Sequence, residues 1–196
     1  AALDPSELLS SSDPDKTRVS VLNLSGLPSQ LAQQNFVNQL AVTLFSWIKK
    51  NPARGRSLRG LLVIDEARDF VPSGASVPGK DNLIRLVAQA RKYGLGIVFA
   101  TQAPKSIDHN VIANASTQFY GRANSPAAID VVQEQLRLRG SSGADVAKLG
   151  KGTFYVFSEG LGAPIKVATS LCLSHHPSSP PSEEEVLERA VRSRGA

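Results

Sequence analysis

Asp65 and Glu66 close the run Leu61-Leu62-Val63-Ile64-Asp65-Glu66, so two adjacent carboxylates sit at the end of four apolar residues. A carboxylate at the end of a buried strand costs several kcal/mol, on the order of its lost hydration, unless a cation or a donor meets it. Two in a row point to a metal ion or a proton to be moved. A second run, Ile97-Val98-Phe99-Ala100-Thr101-Gln102, ends on a hydroxyl and an amide. The amide of Gln102 can donate to a phosphate oxygen and accept from a water at once. A third stretch, Gly74 to Asp81, reads GASVPGKD and spells the phosphate-binding pattern G-x-x-x-x-G-K-[ST] in every position but the last. There Asp81 would set a negative charge against phosphate oxygens and give no hydroxyl to Mg²⁺.

Each has a plainer reading. Asp65 and Glu66 could open a surface loop, cap nearby N–H groups or pair with Arg68. A glutamine at a strand end is commonly a satisfied loop residue. Four apolar residues followed by Asp-Glu is also the Walker B pattern, in which the Asp holds Mg²⁺ through water and the Glu polarises the attacking water. If the strand ending in Gln102 neighbours the one ending in Glu66, the two side chains stand together, and Gln102 takes the position of a γ-phosphate sensor.

The elements that would hold these residues follow from periodicity. Arg18 to Leu27 reads as a buried strand, and residues 28–51 as a long helix with Leu31, Phe36, Leu40, Val42, Leu44, Phe45 and Ile48 at helical spacing. Then come the strand of residues 61–71, a helix ending at Gly94, the strand of 95–102 and a short helix with Ser106 as candidate cap. A strand over 117–124 precedes a helix that opens with Ser125 at the N-cap and Pro126 at the first turn. This alternation predicts an α/β fold, mainly a parallel sheet with helices on both faces. Residues 152–160 and 163–173 read as an antiparallel hairpin at the sheet edge, and Ser182 with Glu185 as a capping box after a Pro/Ser linker. The divisions are a polar arm over 1–17, a domain over 18–170, and a linker with a short helix over 171–196.

Composition bounds the class. A chain of 196 residues, 41% hydrophobic and 20% charged, can bury the core of one domain. Its net charge of +5 allows a nucleic-acid partner without demanding one. A single cysteine, Cys172, excludes an intrachain disulfide, and no apolar run reaches the length of a membrane span. A cytoplasmic setting is expected. The lack of any methionine predicts a piece of a longer protein.

Together, LLVIDEARDFVP and ARKYGLGIVFATQAPKSIDHNVIANASTQFYGRAN resemble the C-terminal half of the motor domain in the HerA–FtsK superfamily of hexameric DNA-pumping ATPases, most of all its HerA branch. The resemblance spans residues 18 to 170 and implies a RecA-like P-loop fold, with ATP and Mg²⁺ as ligands. Asp65 would hold Mg²⁺ through water, Glu66 would activate water and Gln102 would sense the γ-phosphate. Thr101 and Arg122 would contact nucleotide, Arg122 across a subunit boundary. Arg91, in Arg-Lys-Tyr-Gly, resembles the family's trans-acting arginine finger. The implied partners are further copies in a homo-hexameric ring, double-stranded DNA and a nuclease, with no membrane.

In P-loop folds the phosphate loop follows the first strand, well upstream of Walker B. GASVPGKD follows the Walker B strand itself, whose end already supplies the metal carboxylates. Gly74 to Lys80 therefore reads as a flexible surface loop, the true phosphate loop lies outside these residues, and the chain alone is expected to be inactive. Two further functions stay open: an ATPase of a conjugative or type IV secretion system, and a non-catalytic motor-like assembly module. His175 and His176 read as linker residues, the basic run Lys49 to Arg59 as solvated charge, and Lys105 as a candidate DNA contact in a pore.

Overall fold

The computed structural model describes residues 3–53, 58–173, 179 and 181–194. After a short N-terminal helix α1 (Pro5–Leu9), the long helix α2 (Gln30–Lys50) starts where Ser29 accepts a hydrogen bond from the Ala32 N–H. It buries Val37, Leu40, Ala41, Leu44 and Ile48, a stripe at three- and four-residue steps. Leu31 and Val42, expected on that stripe, are exposed. Helix α3 (Lys80–Ala90) packs on α2 at Gly79, whose φ of 84° belongs to the left-handed region. A Cβ at Gly79 would lie 2.6 Å from that of Asn38, so the close approach of the helices requires glycine.

Between these helices runs β1 (Gly60–Ile64), and after α3 comes β2 (Leu95–Phe99). The two strands pair in parallel, Gly60 opposite Leu95 through Ile64 opposite Phe99. One face, with Leu62, Ile64, Leu95, Ile97 and Phe99, joins the core built by α2 and α3. Leu61, Val63 and Val98 on the other face remain 52%, 60% and 44% exposed. Parallel sheets are ordinarily covered on both faces; among the described residues only one face has its layer.

The second half of the chain builds α4 (His109–Asn114), β3 (Thr117–Tyr120), α5 (Pro126–Arg137), β4 (Thr153–Ser158), β5 (Ile165–Ala168) and α6 (Glu183–Arg194). The Ser125 Oγ accepts from the Ala128 N–H, and Pro126 opens α5 as expected. The 182–185 capping box forms in both directions. Val132, Leu136, Val146, Leu149 and Tyr155 make a second core.

Three expectations need correcting. Residues 18–27 form no strand: Val19 and Val21 are 80% and 87% exposed, and the segment is held by the Ser20 hydroxyl on the Leu8 carbonyl and by Leu24 against the core. An extended segment becomes a strand only beside a partner edge, and no ladder forms there. Strand β3 does not extend the parallel sheet: it pairs antiparallel with β4, Thr117 opposite Ser158, and the hairpin strands β4 and β5 complete a separate sheet of order β3-β4-β5. Strand composition does not encode the partner: β3 and β4 pair although α5 lies between them in the chain. Finally, α4 is capped by Asp108, which accepts from the Asn110 N–H, rather than by Ser106, which lies in a 3₁₀ turn.

Candidate functional site

The parallel pairing continues past the regular ends of β1 and β2. The Ala100 N–H donates to the Ile64 carbonyl at 3.0 Å, and the Ala67 N–H to the Ala100 carbonyl at 2.9 Å. These bonds set the residues after Ile64 beside those after Ala100. Gln102 Nε2 donates to Glu66 Oε1 at 2.8 Å, joining the two side chains expected to stand together. Glu66 has φ 45° and ψ 49°, the sole left-handed non-glycine residue among those described. Such a conformation costs about 1 kcal/mol or more for a residue with a Cβ and is found where a site fixes a side chain's direction.

Asp65 is exposed at the end of β1, and its Oδ1 accepts from the Glu66 N–H at 3.0 Å. Arg68 lies with its Nε 4.0 Å from Glu66 Oε2 and 3.7 Å from Asp69 Oδ1, so the loop-pairing role also has its geometry here. Thr101 Oγ1 accepts from the Ala103 N–H at 3.0 Å and so turns the chain after β2. Behind the carboxylates the 3₁₀ turn Ala67–Asp69 is anchored by Gln34 of α2, whose Nε2 donates to the Asp69 carbonyl at 2.8 Å. Sequence reasoning passed over Gln34; its signal was a polar residue on the apolar stripe of a long helix.

Magnesium takes oxygen ligands, one or two carboxylates beside phosphates and water. Asp65, an exposed carboxylate next to Glu66 and Gln102, suits one such place. Among the described residues there is no group of three or more His, Cys, Asp or Glu that could hold a metal by itself.

Arg91 stands apart from this edge. It precedes Gly94, whose carbonyl accepts from the Arg59 N–H at the start of β1, so it lies at the opposite end of the strand pair. Its side chain is 90% exposed, and the nearest acid is Glu159 at 3.9 Å. Arg122 is exposed between β3 and α5. Lys49 and Arg59 of the basic run lie over the rings of Phe45 and Trp47; residues 54–57 of that run, and His175 and His176, are outside the described residues.

Lys80 is placed quite differently from the flexible loop expected of it. It opens α3 with its side chain 14% exposed and within 2.9 Å of Asp108 Oδ2. It donates to the carbonyls of Pro72 at 2.6 Å and Ala75 at 3.1 Å. An ammonium has three donors, and all three face protein acceptors, so GASVPGKD has no lysine to offer phosphate. The Asp108 carboxyl is held below its ordinary range by the Lys80 hydrogen bond first and the Asn110 N–H next. Sequence reading missed this pair because 28 positions separate its members.

The family described as Zonular occludens toxin (Zot) matches residues 15–133. The DNA double-strand break repair helicase HerA of Pyrococcus furiosus is 25% identical over 108 residues, 55% of this chain and 20% of that protein. HerA of Sulfurisphaera tokodaii is 26% identical over 112 residues, 56% of this chain and 23% of that protein. The chain thus spans about a fifth of the length of these relatives. Among solved structures, the genome packaging NTPase B204 of Sulfolobus turreted icosahedral virus 2 superposes with a TM-score of 0.56 in its ATP-γ-S complex, at 19% identity, covering 87% of this chain and 73% of that one. Its AMPPCP complex gives a TM-score of 0.59 at 18% identity, with the same coverage. The α/β fold is therefore that of these P-loop NTPases, and the resemblance to the HerA–FtsK superfamily stands. No helix among the described residues is long and apolar enough to cross a membrane.

Proposed function

The chain belongs to the Zonular occludens toxin (Zot) family, and on that footing we propose that it carries the water-activating half of an ATP-hydrolysing ring motor that moves double-stranded DNA. The observation that carries the reading is the 2.8 Å contact of Gln102 with Glu66 at the C-terminal ends of paired parallel strands, the edge at which open α/β sheets bind ligands. A left-handed Glu66 supports catalysis over a pure assembly role, since an idle carboxylate gains nothing from the strain.

In hydrolysis, water attacks the γ-phosphorus, a proton passes to the Glu66 carboxylate, and the bond to the β,γ-bridging oxygen breaks to leave ADP and phosphate. Gln102 holds Oε1 of Glu66, which fixes the carboxylate and leaves Oε2, 4.0 Å from Arg68 Nε, to take the proton; Thr101 and Arg122 would complete the nucleotide contacts. Asp65 would hold Mg²⁺ through water, and the ion, when bound, draws charge from the phosphate oxygens. A phosphate loop of the G-x-x-x-x-G-K-[ST] kind, absent from these 196 residues, comes from elsewhere in the protein, so the chain alone neither binds ATP tightly nor hydrolyses it. Arg91, remote from its own Glu66, serves the site of a neighbouring copy in a homo-hexameric ring. Residues 18–170 are the motor part, residues 1–17 an arm and residues 171–196 a linker and helix; the setting is cytoplasmic, with a nuclease as further partner. The names of the relatives, a break-repair helicase and a genome packaging NTPase, support a DNA cargo.

In the complete protein, Glu66→Gln should retain ATP binding and lower turnover by about 10²-fold or more, the scale of a lost general base. Wild-type turnover in that variant would place the catalytic carboxylate elsewhere.

A further inference from the structure

The loops that leave β1 and β2 run side by side for several residues after the site. Beyond the Glu66–Gln102 contact, the Ser73 N–H donates to the Ser106 carbonyl at 2.9 Å and the Ser73 hydroxyl to the Lys105 carbonyl at 2.9 Å. Pro72 and Ile107 form an isolated antiparallel bridge, and the Asp108 N–H donates to the Val71 carbonyl at 2.9 Å. Lys80 closes the far end: its ammonium holds the Pro72 and Ala75 carbonyls of the first loop and the Asp108 carboxylate of the second. Between this lock and the site lie Ala67 to Val71 on one side and Ala103 to Ile107 on the other, each stretch containing a 3₁₀ turn.

We infer that Lys80 and Asp108 form a positioning pair, which clamps the two loops in the one register that brings Gln102 Nε2 onto Glu66 Oε1. A buried ion pair is commonly no more stabilising than apolar residues of like volume, so stability alone gives little reason for its presence. What it adds is direction: three donors on one atom meet acceptors from both loops, and slippage of either loop breaks at least one contact. The catalytic consequence rests on the reading of Glu66 as the water-activating carboxylate; the mechanical linkage does not.

Two measurements separate them. In the complete protein, ¹⁵N-labelled at its glutamine side chains, the Gln102 amide signals report its hydrogen bond to Glu66, while those of Gln133, which donates to the Gly143 carbonyl, serve as an internal control. Lys80→Met, and the milder Asp108→Asn should Lys80→Met fail to fold, should move the Gln102 signals toward those of a free glutamine and leave Gln133 in place. Lys80→Arg should return them at least halfway. In the complete protein Lys80→Met should lower kcat about tenfold to hundredfold with the KM for ATP unchanged, the cost of a carboxylate displaced by about an ångström. Gln102 signals at wild-type positions in a folded Lys80→Met or Asp108→Asn chain overturn the inference. If Gln102 moves while Glu66→Gln keeps full turnover, the linkage holds and the assignment of Glu66 fails.

Discussion

Replacing Lys80 with methionine keeps most of the aliphatic volume and removes the ammonium that three acceptors surround. Asp108, 10% exposed at its side chain, would then keep only the exposed His109, its Nδ1 3.7 Å from Asp108 Oδ1, as a neighbour able to carry positive charge. Removing one partner of a buried pair costs about 3–5 kcal/mol. The residual access of water to both side chains argues for the low end, ~3 kcal/mol, with the partly exposed Ala75 carbonyl regaining a water in place of the lysine. For a chain of this size each kcal/mol moves the melting temperature by about 2–4 °C, so a drop of roughly 6–12 °C is expected. Asp108→Asn, which keeps an acceptor for the Asn110 N–H, should lose less. The effect depends on pH in a fixed sense. The folded-state pKa of Asp108 lies below its ordinary value of 3.8, with Lys80 as the first cause; a depressed carboxyl pKa stabilises the fold above the unfolded value and ceases to do so as pH falls through the folded value. The stability gap between wild type and Lys80→Met should therefore be largest near neutral pH, narrow somewhat toward about pH 5 as His109 beside Asp108 gains charge, and close as pH falls below 3.8. Urea unfolding followed by circular dichroism at neutral pH, pH 5 and pH 3 measures it. A gap under ~1 kcal/mol at neutral pH, or one that persists on acidification, would refute the account of Lys80 as a buried ion-pair partner.

Leu136, fully buried in the second core, should cost about 2–5 kcal/mol as Leu136→Ala, and retention of the wild-type denaturation midpoint would mean that this core closes over the gap. Gly79→Ala meets both a left-handed φ of 84° and a Cβ contact of 2.6 Å to Asn38; calorimetry should record a loss of more than ~1 kcal/mol, whereas Gly74→Ala, with open space around it, should lose only the strain of its φ. Arg91→Ala leaves the chain's own stability within about 0.5 kcal/mol, because its pair with Glu159 is exposed on both sides. In the complete protein the same substitution should remove turnover by ~10³-fold or more while ring assembly and ATP binding persist, and rings mixed from Arg91→Ala and Glu66→Gln subunits should recover activity at interfaces where both groups are intact. Absence of recovery in well-mixed rings would exclude a role in trans.

Local physical chemistry, acting within a few residues, was legible in the sequence. The Ser125 and Pro126 start of α5, the Gly94 stop after α3 and the Ser182–Glu185 box each depend on contacts between near neighbours, and each lies where its pattern placed it; the helix α2 was legible too, although its buried face takes Val37 and Ala41 in place of Leu31 and Val42. The apolar runs ending in Asp65–Glu66 and in Thr101–Gln102 likewise declared two strands with polar ends, and with them the residues of the candidate site, although Leu61, Val63 and Val98 leave one face of those strands exposed. Pairing was not legible, because it is decided between residues far apart in the chain. That β1 takes β2 as its parallel partner, and so brings Gln102 to Glu66, was conditional on neighbourhood until the register fixed it. Residues 18–27 carry strand-forming side chains yet form no strand without a partner edge, and β3 joined β4 instead of the parallel sheet. Lys80 shows the limit most sharply: its pattern resembled a phosphate loop and its setting a loose turn, and only the fold, by carrying Asp108 and two carbonyls to one ammonium, made it a buried lock. A charge's role is set by what surrounds it in space, and that surrounding is assembled by tertiary contacts.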